Sequence, residues 1–233
     1  MKTIGLIGGM SWESTAEYYR LLNEFTRHRL GGLHSARCVL YSVDFAEIER
    51  LQVQGRWSEA GEVLATAARS LECAGVDMVL ICTNTMHKVA DQVEAAISVP
   101  LLHLADATAD AVRAAGLRRV GLLGTAFTME QGFYRGRLEA GGLDVYVPDA
   151  EGRALVHRVI YEELCLGEVR EDSRRAYQRI IKDLVAAGAE GVVLGCTEIE
   201  LLISPEDSSV PLFPTARLHA QAAVEAALAE HAS

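Results

Sequence analysis

Apolar and polar positions along the chain fall into two alternating kinds of block. The first kind is a short apolar run that ends in glycine or in a polar cluster: 2–7, 38–43, the run after Gly75, 99–104, 120–125, a run near Val145, and the run up to Gly195. The second kind carries apolar residues three or four apart, as in 12–25, where Tyr18, Leu21, Leu22 and Phe25 share a face behind Ser11 as N-cap. The same spacing predicts helices over 59–73, 88–96, 106–115, 129–140, 154–165, 173–187 and 218–230. Strands alternating with helices along the chain predict an α/β fold with parallel sheets. The stretch 44–57 is too polar and irregular for a core element and reads as a long connection.

The pattern is written twice. Gly75-Val-Asp-Met-Val-Leu-Ile-Cys82 and Gly188-Ala-Glu-Gly-Val-Val-Leu-Gly195 both run glycine, small or apolar residue, acid, apolar run. Continued without a gap, this alignment sets Thr83 on Cys196. Ile4-Gly-Leu-Ile-Gly8 matches Val120-Gly-Leu-Leu-Gly124, and Ser98-Val-Pro-Leu-Leu102 matches Ser209-Val-Pro-Leu-Phe213, in the same order. The repeat unit is too long for a solenoid. It predicts two pseudo-symmetric α/β domains, each a parallel sheet flanked by helices. Residues 1–98 form the first and 99–211 the second, with 212–233 returning to pack on the first. Ligands in such folds bind at strand C-termini and domain interfaces, so the active site is expected in the cleft between the two.

Candidate chemistry lies where the repeated strands end. Gly195-Cys196-Thr197-Glu198 reads as a strand end followed by a helix start, and a thiol at a helix N-terminus has its pKa lowered toward the thiolate. Thr83-Asn84-Thr85 occupies the matching turn, where such residues also serve as ordinary N-caps. Pleat alternation puts Cys82 and Thr83 on opposite sides, and the repeat makes Cys82 the packing position, aligned with Gly195. His87 with Cys82 lacks a second ligand pair at a recognised spacing, so no metal site is expected. Gly5, Gly8 and Gly9 close the first strand in an order that is not the dinucleotide fingerprint.

Composition narrows the class. The 233 residues are 50% hydrophobic with a net charge of −10, so neither nucleic acid nor a membrane surface is an expected partner. The opening residues lack the layout of a secretory signal, and no apolar run reaches the roughly 20 residues that span a bilayer. Five scattered cysteines without a CxxC pair suit reduced thiols, and the expected location is cytoplasmic.

These residues carry a resemblance. Cys82-Thr-Asn-Thr-Met-His87, Gly195-Cys-Thr-Glu-Ile199 and Ile4-Gly-Leu-Ile-Gly-Gly-Met-Ser11 resemble the aspartate/glutamate racemase superfamily, on the branch of bacterial aspartate racemases and broad-specificity amino-acid racemases. The stretch from His157 to Gly167 is similar to that branch as well. The first motif departs from the family's Pro-Cys-Asn-Thr-Ala-His, so the family's first catalytic cysteine falls on Thr83. The resemblance implies deprotonation and reprotonation at the α-carbon of aspartate or glutamate, with Cys196 as thiol base/acid and Thr83 opposite. It implies no cofactor and a homodimer. Asn84, Thr85 and Thr197 are expected to hold the substrate, and by resemblance Met10, Gln52 and Thr125 line the pocket. Pyridoxal phosphate needs a Schiff-base lysine; of Lys2, Lys88 and Lys182, only Lys88 lies near a motif, without a recognisable phosphate cradle. Alternative readings are a maleate-isomerase or decarboxylase type activity, where one cysteine suffices, and an acidic amino-acid binding protein that has lost its chemistry.

Overall fold

The computed structural model of the chain describes residues 1–229. In chain order the elements are β1 (Ile4–Gly8), α1 (Trp12–Leu30), β2 (Cys38–Ser42), α2 (Phe45–Val53), α3 (Trp57–Cys73), β3 (Met78–Ile81), a 3₁₀ turn (Thr85–Val89), α4 (Ala90–Glu94) and α5 (Leu104–Ala114). They continue with β4 (Arg119–Gly124), α6 (Ala126–Glu130), α7 (Gly132–Ala140), β5 (Asp144–Tyr146), α8 (Ala150–Glu162), α9 (Glu171–Ala186), β6 (Gly191–Gly195), α10 (Ile199–Leu202), β7 (Leu212–Pro214) and α11 (Thr215–Leu228). The last helix was expected to reach Glu230, which lies outside the described residues.

By their internal contacts these elements form two compact units, Met1–Leu104 with the described residues from His219 on, and Ala105–Leu218. The first unit holds a parallel sheet in the order β2-β1-β3, the second a parallel sheet in the order β5-β4-β6-β7. The first sheet is extended by a single bridge from Val79 to Leu101, so 99–104 is one bridging residue and the start of α5, not the full strand its apolar run predicts. Pro100, which has no N–H to give, accepts from Val79 N–H at 2.9 Å. Residues 212–214, expected to return to the first half, instead pair with β6; the return begins at His219, and Lys2 N–H bonds the Ala227 carbonyl at 2.9 Å.

The repeat is visible strand by strand. Ile4 pairs with Met78, and the aligned Val120 pairs with the aligned Gly191. Val79 bridges Leu101, and the aligned Val192 pairs with the aligned Leu212. Even the acid before each strand does the same work. An Asp77 carboxylate oxygen accepts Thr3 N–H at 2.6 Å, and Glu190 accepts Arg119 N–H at 3.2 Å. β1, β3 and β6 are buried along their length, as the near-continuous apolar runs of a covered parallel sheet should be.

Two further expectations fail. The stretch read as a connection holds α2, capped by the Asp44 carboxylate on Ala46 N–H at 3.1 Å and buried through Ile48, Leu51 and Gln52. Its apolar face is one side of two turns, too short for periodicity to stand out among Glu47, Glu49 and Arg50. The helix expected over 129–140 is two, because Gln131 adopts an extended conformation (φ −95°, ψ 144°) between α6 and α7.

Candidate active site

In the first unit the strand C-termini deliver three groups of residues. Met10 follows β1 and is buried in the core that also includes Ile48, Leu51 and Met86. Gln52 on α2 donates through Nε2 to the Met86 sulfur at 3.0 Å, which joins α2 to the turn after β3. That turn carries Thr83, half-buried, and Asn84 and Thr85, buried at its base. Met10, Gln52 and the 83–85 turn are thus brought to one end of one sheet. Cys82 is fully buried and its thiol pKa is pushed up by burial; its carbonyl accepts from the Ser14 hydroxyl at 3.1 Å. It is the packing residue that the repeat makes it.

His87 is buried, with Nδ1 2.8 Å from the Thr83 carbonyl and Nε2 accepting Leu104 N–H at 3.2 Å. Its nitrogens serve the backbone, and among the described residues no group of three or more His, Cys, Asp or Glu side chains could hold a metal ion. Lys88 lies with Nζ 3.9 Å from the centre of the Trp57 ring, and burial lowers its pKa. A cation held over an indole face is a stabilising contact.

In the second unit Gly124 pairs with Gly195, and the residues that follow them are Thr125 and Cys196. The pairing is close. A Cβ on Gly195 would meet the Leu123 carbonyl at 2.9 Å, and one on Gly124 would meet the Gly195 carbonyl at 3.0 Å. Thr125 is buried and caps α6, accepting Thr128 N–H at 3.3 Å through its hydroxyl. Thr197 is half-buried, and its carbonyl accepts Glu200 N–H at 3.3 Å.

Cys196 departs from its expected state. Its thiol donates to a Glu198 carboxylate oxygen at 2.9 Å. Burial and then the Glu198 charge hold its pKa well above the ordinary value, so the resting residue is a neutral thiol rather than a thiolate. The predicted helix-terminus effect is small for a physical reason: α10 begins only at Ile199 and is a single turn, with little dipole to offer. Glu198 is the residue that sequence reasoning passed over. Its signal was its place two residues beyond the cysteine in a turn, where a carboxylate can fold back onto the thiol. The arrangement is a proton donor with a carboxylate able to take that proton.

The model of the Asp/Glu/hydantoin racemase family matches residues 7–223. Among solved structures, a candidate Asp/Glu racemase from Yersinia pestis is 57% identical with a TM-score of 0.93, covering 98% of this chain and 100% of that one. An aspartate racemase homologue from Pyrococcus horikoshii OT3 is 37% identical with a TM-score of 0.86, over 97% of this chain and 99% of that one. Among curated relatives, the broad-specificity amino-acid racemase RacX of Bacillus subtilis (strain 168) is 21% identical over 97% of this chain and 98% of its own. The glutamate racemase of Aquifex pyrophilus is 29% identical, and the match spans 57% of this chain and about half, 53%, of that protein.

Proposed function

The chain belongs to the Asp/Glu/hydantoin racemase family, and with it to the amino-acid racemases that work without pyridoxal phosphate; from that premise we propose that it inverts the α-carbon of aspartate or glutamate with Cys196 and Thr83 as its proton-transfer pair. The observation that carries this reading is the thiol of Cys196 donating to Glu198, at the strand end equivalent in register to the one that precedes Thr83. Glu198 takes the Sγ proton, and the thiolate so formed takes the α-proton. The Thr83 hydroxyl, or a water held by it, returns a proton to the carbanion, and the proton on Glu198 restores that hydroxyl through solvent. Carbanion charge spreads onto the substrate carboxylate, where hydrogen-bond donors must be aimed in advance. Asn84, Thr85 and Thr197 take that task, and Met10, Gln52 and Thr125 shape the pocket.

Threonine in place of a second cysteine has a bounded effect. Its hydroxyl ionises far above neutral pH, so it serves as donor or relay better than as base. Free enantiomers have equal energy in achiral water, so kcat/KM must be equal in the two directions. Thr83 makes kcat and KM individually unequal between enantiomers; it does not make a one-way enzyme.

The test is α-hydrogen exchange in deuterated water from each enantiomer of aspartate and glutamate, for the wild type, Cys196→Ala and Thr83→Cys. Cys196→Ala should lose exchange, and Thr83→Cys should bring the two kcat values closer. Exchange by Cys196→Ala at the wild-type rate sinks the assignment. Ligand-induced thermal stabilisation without any exchange by the wild type would make the protein a binder instead.

Assembly as a homodimer is part of the same reading. The first unit exposes Trp12 and Tyr19, seven residues apart on α1, and Leu40 and Tyr41 on the edge strand β2. Large apolar groups left in water on an unpaired edge favour a partner surface. Sedimentation velocity should give a dimer, and Tyr41→Arg should shift it toward monomer.

A further inference from the structure

The Thr83 turn is held from below by a buried histidine whose tautomer is set by its neighbours. His87 Nε2 accepts the Leu104 N–H at 3.2 Å, so that nitrogen carries no proton. The proton is therefore on Nδ1, which donates to the Thr83 carbonyl at 2.8 Å. The ring is 2% exposed and packs edge-on against His103, with centroids 4.5 Å apart, and against His219 at 5.9 Å. His219 is fixed in the opposite sense. Its Nε2–H donates to the Leu102 carbonyl at 2.8 Å, and its Nδ1 accepts from the Tyr18 hydroxyl at 2.9 Å. A ring with one donor and one acceptor, both engaged by fixed groups and walled by two other rings, has little freedom to turn.

We propose that His87 is a positioning residue for Thr83. Its Nδ1–H holds the Thr83 carbonyl, and with it the rigid peptide plane joining Thr83 to Asn84. Holding that plane aims the Thr83 hydroxyl and the Asn84 side chain at the reacting carbon. The inference rests on the racemase reading, in which Thr83 acts there. The device belongs to the threonine side alone, because the aligned position in the second repeat is Glu200.

Two amide substitutions separate this role from plain packing. In His87→Asn the side-chain NH₂ sits near the lost Nδ1 and can still donate to the Thr83 carbonyl. In His87→Gln the amide reaches the Nε2 position and can accept from Leu104, but the bond to Thr83 is gone. Both should lower the thermal midpoint. His87→Asn should keep most of its kcat, whereas His87→Gln should lose on the order of 10–100-fold in kcat with little change in KM. Because kcat/KM stays equal in the two directions, the loss should appear for both enantiomers, as it should in Thr83→Val. Nitrogen-15 imidazole spectra of the wild type should show His87 protonated on Nδ1 at neutral pH. Equal losses in the Asn and Gln variants, or an Nε2–H tautomer, overturn the positioning role. If Cys196→Ala exchanges like wild type, the racemase reading falls and takes this one with it; if that variant is inactive while the two amides behave alike, only the positioning role is lost.

Discussion

At the scale of single residues, the proposed chemistry turns on the Cys196 thiol and a carboxylate placed to take its proton. Desolvation contributes most to the raised pKa of Cys196, and the charge and hydrogen bond of Glu198 add to it. Glu198→Gln separates these causes. Without the carboxylate, the thiol pKa should move down toward its ordinary value, so the pH profile of iodoacetamide alkylation of Cys196 should shift to lower pH. Racemisation should fall in the same variant, by roughly 10²–10⁴-fold for loss of a general base. A variant more reactive to alkylation yet slower in catalysis would show that Glu198 moves the proton rather than merely tuning the thiol. If alkylation and racemisation fall together, Glu198 is a packing contact.

Elements deliver these residues through close strand packing and short helices. Gly195 is one close point: Gly195→Ala would press its Cβ against the Leu123 carbonyl at 2.9 Å, with Leu122 Cδ1 and Thr128 Cγ2 both at 3.3 Å. Backbone cannot yield as a flexible side chain can, so this methyl should cost about 1–3 kcal/mol, read as a lower urea midpoint at unchanged slope. Asp44→Ala should cost about 1 kcal/mol by uncapping α2, and KM should rise if Gln52 on α2 lines the substrate pocket as proposed. These two sites also mark how far the elements were legible in sequence. Long buried strands such as β1 and β6, and long helices such as α1, announce themselves by period and length. Helix α2 did not, because Ile48 and Leu51 are too few apolar positions to outweigh the charges between them. The break at Gln131 and the one-turn length of α10 depend on backbone angles that side-chain patterning does not encode. The Cys196–Glu198 contact was hidden for that reason, whereas the equivalence of the Thr83 and Cys196 positions was legible from the repeat.

For the whole chain, the duplication explains why the sequence was so readable: matched segments take matched registers in both sheets, down to the acids Asp77 and Glu190 that tie each strand start. The chain-level feature that alignment could not reveal is how the C-terminal segment is held once it rejoins the first unit at His219. Burial, and then the neighbouring His87, push the His219 pKa down to about 3, so this ring stays neutral in the fold. The unfolded chain, with an ordinary histidine near 6.5, binds that proton much earlier. Its neutral burial therefore costs nothing above about pH 6.5, and stability is lost progressively as pH falls from there toward 3, where the deficit reaches on the order of 5 kcal/mol. Urea unfolding at pH 7 and pH 5 should show the wild type weakening by about 2 kcal/mol from this group alone. His219→Gln keeps a donor for Leu102 but has no proton to gain. It should begin less stable at pH 7, through the poorer fit, and then lose less on acidification. Equal losses in the two proteins between pH 7 and pH 5 would mean that His219 is not the group whose neutral burial sets the acid limit of the fold.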